Sequence, residues 1–146
     1  MAGEVSDSLR RRVAERADRL CEYCLVHEDD LFHGCEVDHV RSLKHGGPTT
    51  EDNLAFACFH CNRHKGTDLG SISRASGILI RFFNPRADRW GEHFQAHDGR
   101  IDGLTEIGEV TARLLEFNHP ERVALRRLLT EAGRYPTIEA LAVMRE

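Results

Sequence analysis

Two Cys-x2-Cys pairs, Cys21 with Cys24 and Cys58 with Cys61, stand 33 residues apart and constrain this chain more than any other feature. Each pair can form a tight knuckle, and two converging knuckles present four thiolates in the tetrahedral arrangement that zinc takes in closed, structural sites. Four cysteines buried by coincidence would have no reason to repeat one short spacing. A redox role needs only one pair and a βαβ setting that the sequence lacks. The opening residues, MAGEVSDSLRRR, hold no apolar stretch of signal-peptide length, so the expected compartment is the reducing cytoplasm, where disulfides do not persist. Zinc would use all four thiolates, leaving no open position for chemistry. The fifth cysteine, Cys35, is expected as a small apolar core residue in a hairpin.

Hydrophobic residues make up 40% and charged residues 30% of the 146, the balance of an ordinary globular domain rather than a disordered or fibrous chain. No run of about 18 apolar residues is present to cross a membrane. The net charge of -4 counts on its own against nucleic-acid binding, although basic clusters stand at Arg10 to Arg12, at Arg63 to Lys65 and at Arg122 to Arg127. The last of these is expected to be a solvated helix face. Helical spacing of Leu9, Val13, Ala17 and Leu20 predicts a helix over residues 8–19, capped by Ser8. Residues 31–40 read as a short hairpin turning near Gly34, and residues 41–52, with Gly46, Gly47 and Pro48, as a loop. A helix should begin at the second cysteine pair and end on Gly66. Beyond it, residues 77–83 and 99–104 have strand texture, and Trp90, Phe94 and Phe83 are expected in the core. Thr105 can cap one helix and Asn118-His119-Pro120 can open another, with Val123, Leu125, Leu128 and Leu129 facing inward. The expected organisation is a core with its N-terminal helix over 1–66 and an extension over 67–146 that packs on it in the same compact domain.

Between and just after the cysteine pairs lie Asp38, His39, Asn53 and Asn62. Phosphodiester hydrolysis needs an activated water, a cation to stabilise developing charge, and something to orient the base. Asp38 and Asn62 offer the hard oxygen atoms that magnesium and manganese favour, and an imidazole at His39 can take a proton from water near neutral pH. From spacing alone, an adjacent Asp and His at a strand end are more often a surface pair.

The stretches CEYC, EVDHV, HGGPTTEDNLAFAC and CNRHKG together resemble the ββα-metal core of the HNH endonuclease family, in its four-cysteine branch, over residues 21–66. The resemblance implies an α+β fold with a structural four-cysteine zinc site and a C-terminal extension of strands and helices packed on it. It also implies a metal-dependent endonuclease cutting DNA, with RNA left open. His39 matches the family's general base and Asp38 the carboxylate that holds the catalytic magnesium or manganese. Asn53 matches the residue that steadies the loop and the base. Asn62 stands where many members carry a second metal-binding His, a departure that favours magnesium or manganese over a softer ion. Lys44, Arg63, His64 and Lys65 are candidate phosphate contacts. No membrane partner or small-molecule cofactor is implied, and either low sequence specificity or a partner protein that supplies targeting is expected. The alternative is a zinc-stabilised module that binds nucleic acid or protein without catalysis, kept open by Asn62 and the acidic net charge.

Overall fold

The computed structural model describes residues 3–146. Helix α1 (Asp7–Arg16) is capped by Ser6, whose hydroxyl accepts the Leu9 amide at 3.1 Å, so the cap sits two residues before the expected Ser8. The helix ends at Arg16, three residues short of the expected end: Leu9, Val13 and Ala17 share one apolar cluster, whereas Leu20, reached after Asp18 and Arg19 turn the chain at positive φ, is buried in the other. Residues 31–40 do not form a hairpin. Strand β1 (Cys35–His39) instead pairs antiparallel with β2 (Leu54–Cys58), in a register that sets Cys35 opposite Cys58 and His39 opposite Leu54. The sequence hid β2 because all five of its residues are buried, so it lacks the alternation that marks a half-exposed strand. One face of β2, Leu54 and Phe56, meets α1; the other, Ala55 and Ala57, meets the cysteine knuckles.

Helix α2 (Phe59–Lys65) follows β2 with no intervening loop and ends on Gly66 at φ +52°, a left-handed conformation that glycine adopts without cost. The two strands and this helix make a ββα unit. Two further hairpins follow, β3 (Gly70–Ile72) with β4 (Leu79–Arg81), and β5 (Phe94–His97) with β6 (Arg100–Gly103), with the short α3 (Trp90–His93) between them. Thr105 caps α4 (Glu106–Leu114), and His119 with Pro120 opens α5 (Pro120–Glu131), both as expected. A last helix, α6 (Ile138–Arg145), is capped by Thr137.

The larger apolar cluster draws on both halves of the chain: Tyr23, Cys24 and Ala57 from the first, and Phe83, Trp90, Phe94, Val110 and Phe117 from the second. Phe94 is its hub, with ring centroids 5.1 Å from Trp90, 5.2 Å from Phe83 and 5.5 Å from Phe117. No described helix is long and apolar enough to cross a membrane.

The inward face of α5 matches the expected one at Val123, which is buried, and at Leu129, which packs against the core, but not at Leu128, and it adds two arginines. Arg122, Val123 and Arg126 are buried, while Leu128 is 64% exposed. The cause lies in the turn after α4, whose carbonyls have no helical partner. Arg122 donates to the carbonyls of Leu115 at 2.7 Å and Glu116 at 3.0 Å, and Arg126 donates to those of Phe117 and Gly99. A buried guanidinium is tolerated when such acceptors surround it. Arg126→Ala should therefore cost about 2 kcal/mol or more by stranding buried carbonyls, whereas Leu128→Ala should stay within about 0.5 kcal/mol. Urea unfolding of the two variants checks this, and the reverse ranking would contradict the assigned face.

Candidate active site and metal centre

The four predicted cysteines converge. Their sulfur atoms all lie within 4.8 Å of one another, each side chain is buried, and the Cys24 and Cys58 sulfurs are 3.8 Å apart. A tetrahedron with zinc–sulfur bonds of about 2.3 Å has an edge of about 3.8 Å, so the spacing fits the ion. The two knuckles are built alike: the amide of Cys24 donates to the Cys21 sulfur at 3.4 Å, and the amide of Cys61 to the Cys58 sulfur at 3.4 Å. Leu25, at φ +65°, turns the chain out of the first knuckle, and Cys58 forms the second while serving as the N-cap of α2.

Burial pushes the Cys21 and Cys61 thiols well up, while hydrogen bonds from the other cysteines pull Cys24 well down. A divalent cation lets all four ionise together. Arg122 answers the excess negative charge of a four-thiolate site, donating to the Cys61 sulfur at 3.0 Å and approaching Cys58 at 3.7 Å. Burial alone would weaken its charge, but the thiolates of Cys61, Cys24 and Cys58 hold its guanidinium firmly protonated. Two carbonyls of the first knuckle are also claimed by the C-terminal half: Trp90 donates to Tyr23 at 2.8 Å and the Tyr135 hydroxyl to Cys24 at 3.0 Å. Cys35 is half-buried beside both apolar clusters and outside the sulfur tetrahedron.

A second, polar locus lies at the far end of the same ββα unit. Asp38, His39 and Asn62 line one groove of about 230 Å³ together with Ser42, Lys44 and Thr67. Asp38 leaves β1 on the face that meets α2 and is 4% exposed. Its Oδ2 accepts the Tyr23 hydroxyl at 2.8 Å and its Oδ1 the Lys65 ammonium at 3.2 Å. Burial pushes the Asp38 carboxyl above the ordinary carboxylate range, against the opposing pull of Lys65 and Tyr23. A carboxylate can accept about four bonds, so these two partners do not exhaust it, and Asn62, which lines the same groove, carries an oxygen donor of the same hard type. The donor set therefore suits magnesium or manganese.

His39, one residue on, is only half-buried, and its Nε2 lies 2.9 Å from the Thr49 hydroxyl. Asn53 bridges the ends of the intervening loop: its amide donates to the carbonyls of Arg41 at 2.9 Å and Pro48 at 2.8 Å, and its oxygen accepts the Arg41 amide at 2.9 Å. Gly47 makes this closure feasible, because a Cβ there would fall 1.7 Å from the Arg41 carbonyl oxygen and 2.8 Å from the Asn53 amide nitrogen. Asn53 thus holds the loop directly and reaches His39 only through the loop that carries Thr49.

The expected phosphate contacts separate. Lys44 and Arg63 are exposed, and His64 pairs with Glu116 at 3.1 Å. Lys65 does not reach solvent: it is 1% exposed and also donates to the His39 carbonyl at 3.0 Å. It lies four residues after Cys61, one turn along the same buried face of α2, and that spacing was the available signal. Thr49 and Tyr23 had no comparable signal, since their roles depend on contacts 10 and 15 residues away.

Residues 21–68 match the family model for HNH endonucleases. The segment is an HNH domain with the four-cysteine cluster, and the match points to nuclease chemistry in general. It spans both knuckles, β1, β2, α2 and the polar groove, and stops before the C-terminal hairpins. No curated protein and no solved structure matches the chain.

The zinc centre makes its own prediction. Purified protein should carry one zinc per chain by elemental analysis, and Cys58→Ser should lose both the metal and cooperative thermal unfolding, because metal binding and folding are one equilibrium in such sites. A metal-free Cys58→Ser protein with native melting would contradict a structural role.

Proposed function

We propose that this protein is a metal-dependent endonuclease that hydrolyses DNA phosphodiester bonds, with His39 as general base. The observation that carries the proposal is the convergence of His39, Asp38 and Asn62 on one groove, with His39 held at a single ring nitrogen. If the Thr49 hydroxyl accepts from Nε2, that nitrogen keeps its proton and Nδ1 presents a free lone pair. His39 then takes a proton from water through Nδ1 as the water oxygen attacks phosphorus, and the bond to the departing 3′ oxygen breaks. Thr49 orients the ring, and Asn53 fixes the loop that supplies Thr49. Lys65 anchors Asp38 to the end of β1 through the His39 carbonyl, so the carboxylate and the base share one rigid support. Asp38 and Asn62 would hold one magnesium or manganese ion, which when bound supplies positive charge for the phosphate and the leaving oxygen. Lys44 and Arg63, both exposed, would meet flanking phosphates.

The non-catalytic reading draws on Asp38, whose two oxygens already have partners. Nicking of supercoiled plasmid separates the two. With magnesium or manganese the parent protein should nick, without added metal it should not, and His39→Ala should lose about 10²- to 10⁴-fold in rate while keeping its melting temperature. Thr49→Val should lose roughly 10- to 100-fold, the range for removing a partner that orients a histidine ring, and Thr49→Ser should recover most of it. Equal rates for parent and His39→Ala, or no cutting by either on plasmid, branched and single-stranded DNA, would leave the binding module as the better account.

A further inference from the structure

The other face of α2 borders a cavity of about 490 Å³ that the hydrolytic site does not use. Its volume lies in the range of sites that enclose small organic ligands. Along it the rings of Phe32, His33, Phe59 and His60 form a continuous row, with successive centroids 4.8, 4.6 and 5.7 Å apart. The Arg63 guanidinium stands 5.8 Å from the centre of the Phe59 ring. Phe32, at the outer end of the row, is 97% exposed. A benzyl group left in water contributes nothing to the core, and beside a cavity it marks a contact surface.

The polar groups define which ligand fits. Glu116 and Glu121 line the cavity and would repel a phosphate there, and Glu116 is already engaged by His64 at 3.1 Å. Arg63, on α2, is exposed and offers the cation. The site therefore suits a flat, polarisable ring that lies in the cavity against the open side of this aromatic row while an attached phosphate stays beside Arg63. Arg63 directly follows Asn62 of the polar groove, so the two sites are separated by about the width of one helix, some 10–12 Å. A stacked strand advances about 3.4 Å per nucleotide, and three or four nucleotides span that distance.

We infer that this cavity is a stacking site for an unpaired nucleobase of the nucleic-acid strand, with Phe32, His33 and Phe59 supplying the ring faces and Arg63 the phosphate contact. Stacking on aromatic side chains accepts every base, so the site confers a preference for unpaired strands rather than for sequence. The inference rests on nucleic acid being the substrate, and it adds the form of that substrate: a single strand, flap or unpaired end reaching into the groove.

The test is fluorescence anisotropy with zinc-loaded, full-length His39→Ala protein, using a labelled mixed-sequence single strand and the corresponding blunt duplex. Phe32→Ala is the key variant, because so exposed a side chain can be removed without unfolding the protein. Its single-strand affinity, relative to the duplex, should fall about tenfold, the size of one base-aromatic stack, and Phe32→Trp should restore it. Arg63→Gln should weaken single-strand binding and flatten its salt dependence. An unchanged single-strand affinity in Phe32→Ala, with the parent still nicking plasmid, overturns the stacking site alone. Loss of an apolar dye from the cavity in Phe32→Ala, with oligonucleotide affinity unchanged, assigns the surface to an apolar partner and also overturns it. A parent protein that neither binds nor cuts any nucleic acid removes the nuclease reading and this inference together.

Discussion

Four cysteine sulfurs within 4.8 Å of one another, all buried, carry a charge problem that the surrounding protein is arranged to answer. Ionised, they repel; protonated, they are weak donors with little to hold them together. A zinc ion would resolve the repulsion, and Arg122, at 3.0 Å from Cys61, would offset the negative charge that remains. The same arginine accounts for the carbonyls of Leu115 and Glu116 after α4. Metal site and C-terminal half are in this way joined through one side chain, and Trp90 and Tyr135 add bonds to the carbonyls of the first knuckle. The extension is thus built into the shell of the four-cysteine cluster.

From that anchor the polar groove follows by register. Cys58 ends β2 and caps α2, so the helix begins at the zinc site, and Cys61 and Lys65 fall on its inner face. The pairing of Cys35 with Cys58 places Asp38 opposite Ala55, the small residue that leaves room for the carboxylate beneath α2. Strand alternation then turns His39 the other way, toward the loop and Thr49. Asp38 and His39 therefore occupy different environments although they are neighbours in sequence: one is buried against an ammonium and a phenol, the other is half-open to the groove. This division is the one the proposed roles require, a carboxylate that stays in place and a base that meets solvent.

The cysteine spacing was legible because it is a local pattern with a single geometric outcome, and the Thr105 and Pro120 helix starts were legible for the same reason. Strand β2 was not, because complete burial erases periodicity. On α5, Leu128, Arg122 and Arg126 were misjudged because a helical pattern ranks leucine above arginine as a core residue, whereas orphaned carbonyls after α4 favour the guanidinium. Lys65 was assigned to phosphate because lysine beside arginine and histidine reads as a basic patch; its depth follows from Cys61 one turn earlier. Asn53 was expected to steady the loop and the orientation of His39; its bonds run to Arg41 and Pro48 in the loop, and the ring's contact is with Thr49.

The central claim is that two metals would divide the work, zinc as scaffold and a second ion on Asp38 and Asn62. Manganese binding to zinc-loaded protein, followed by electron paramagnetic resonance alongside zinc content, tests it directly. The account predicts one manganese site per chain in the parent and its loss or marked weakening in Asn62→Ala, with zinc unchanged at one per chain. Manganese binding that is indifferent to Asn62, or that appears only as zinc is displaced, would contradict it.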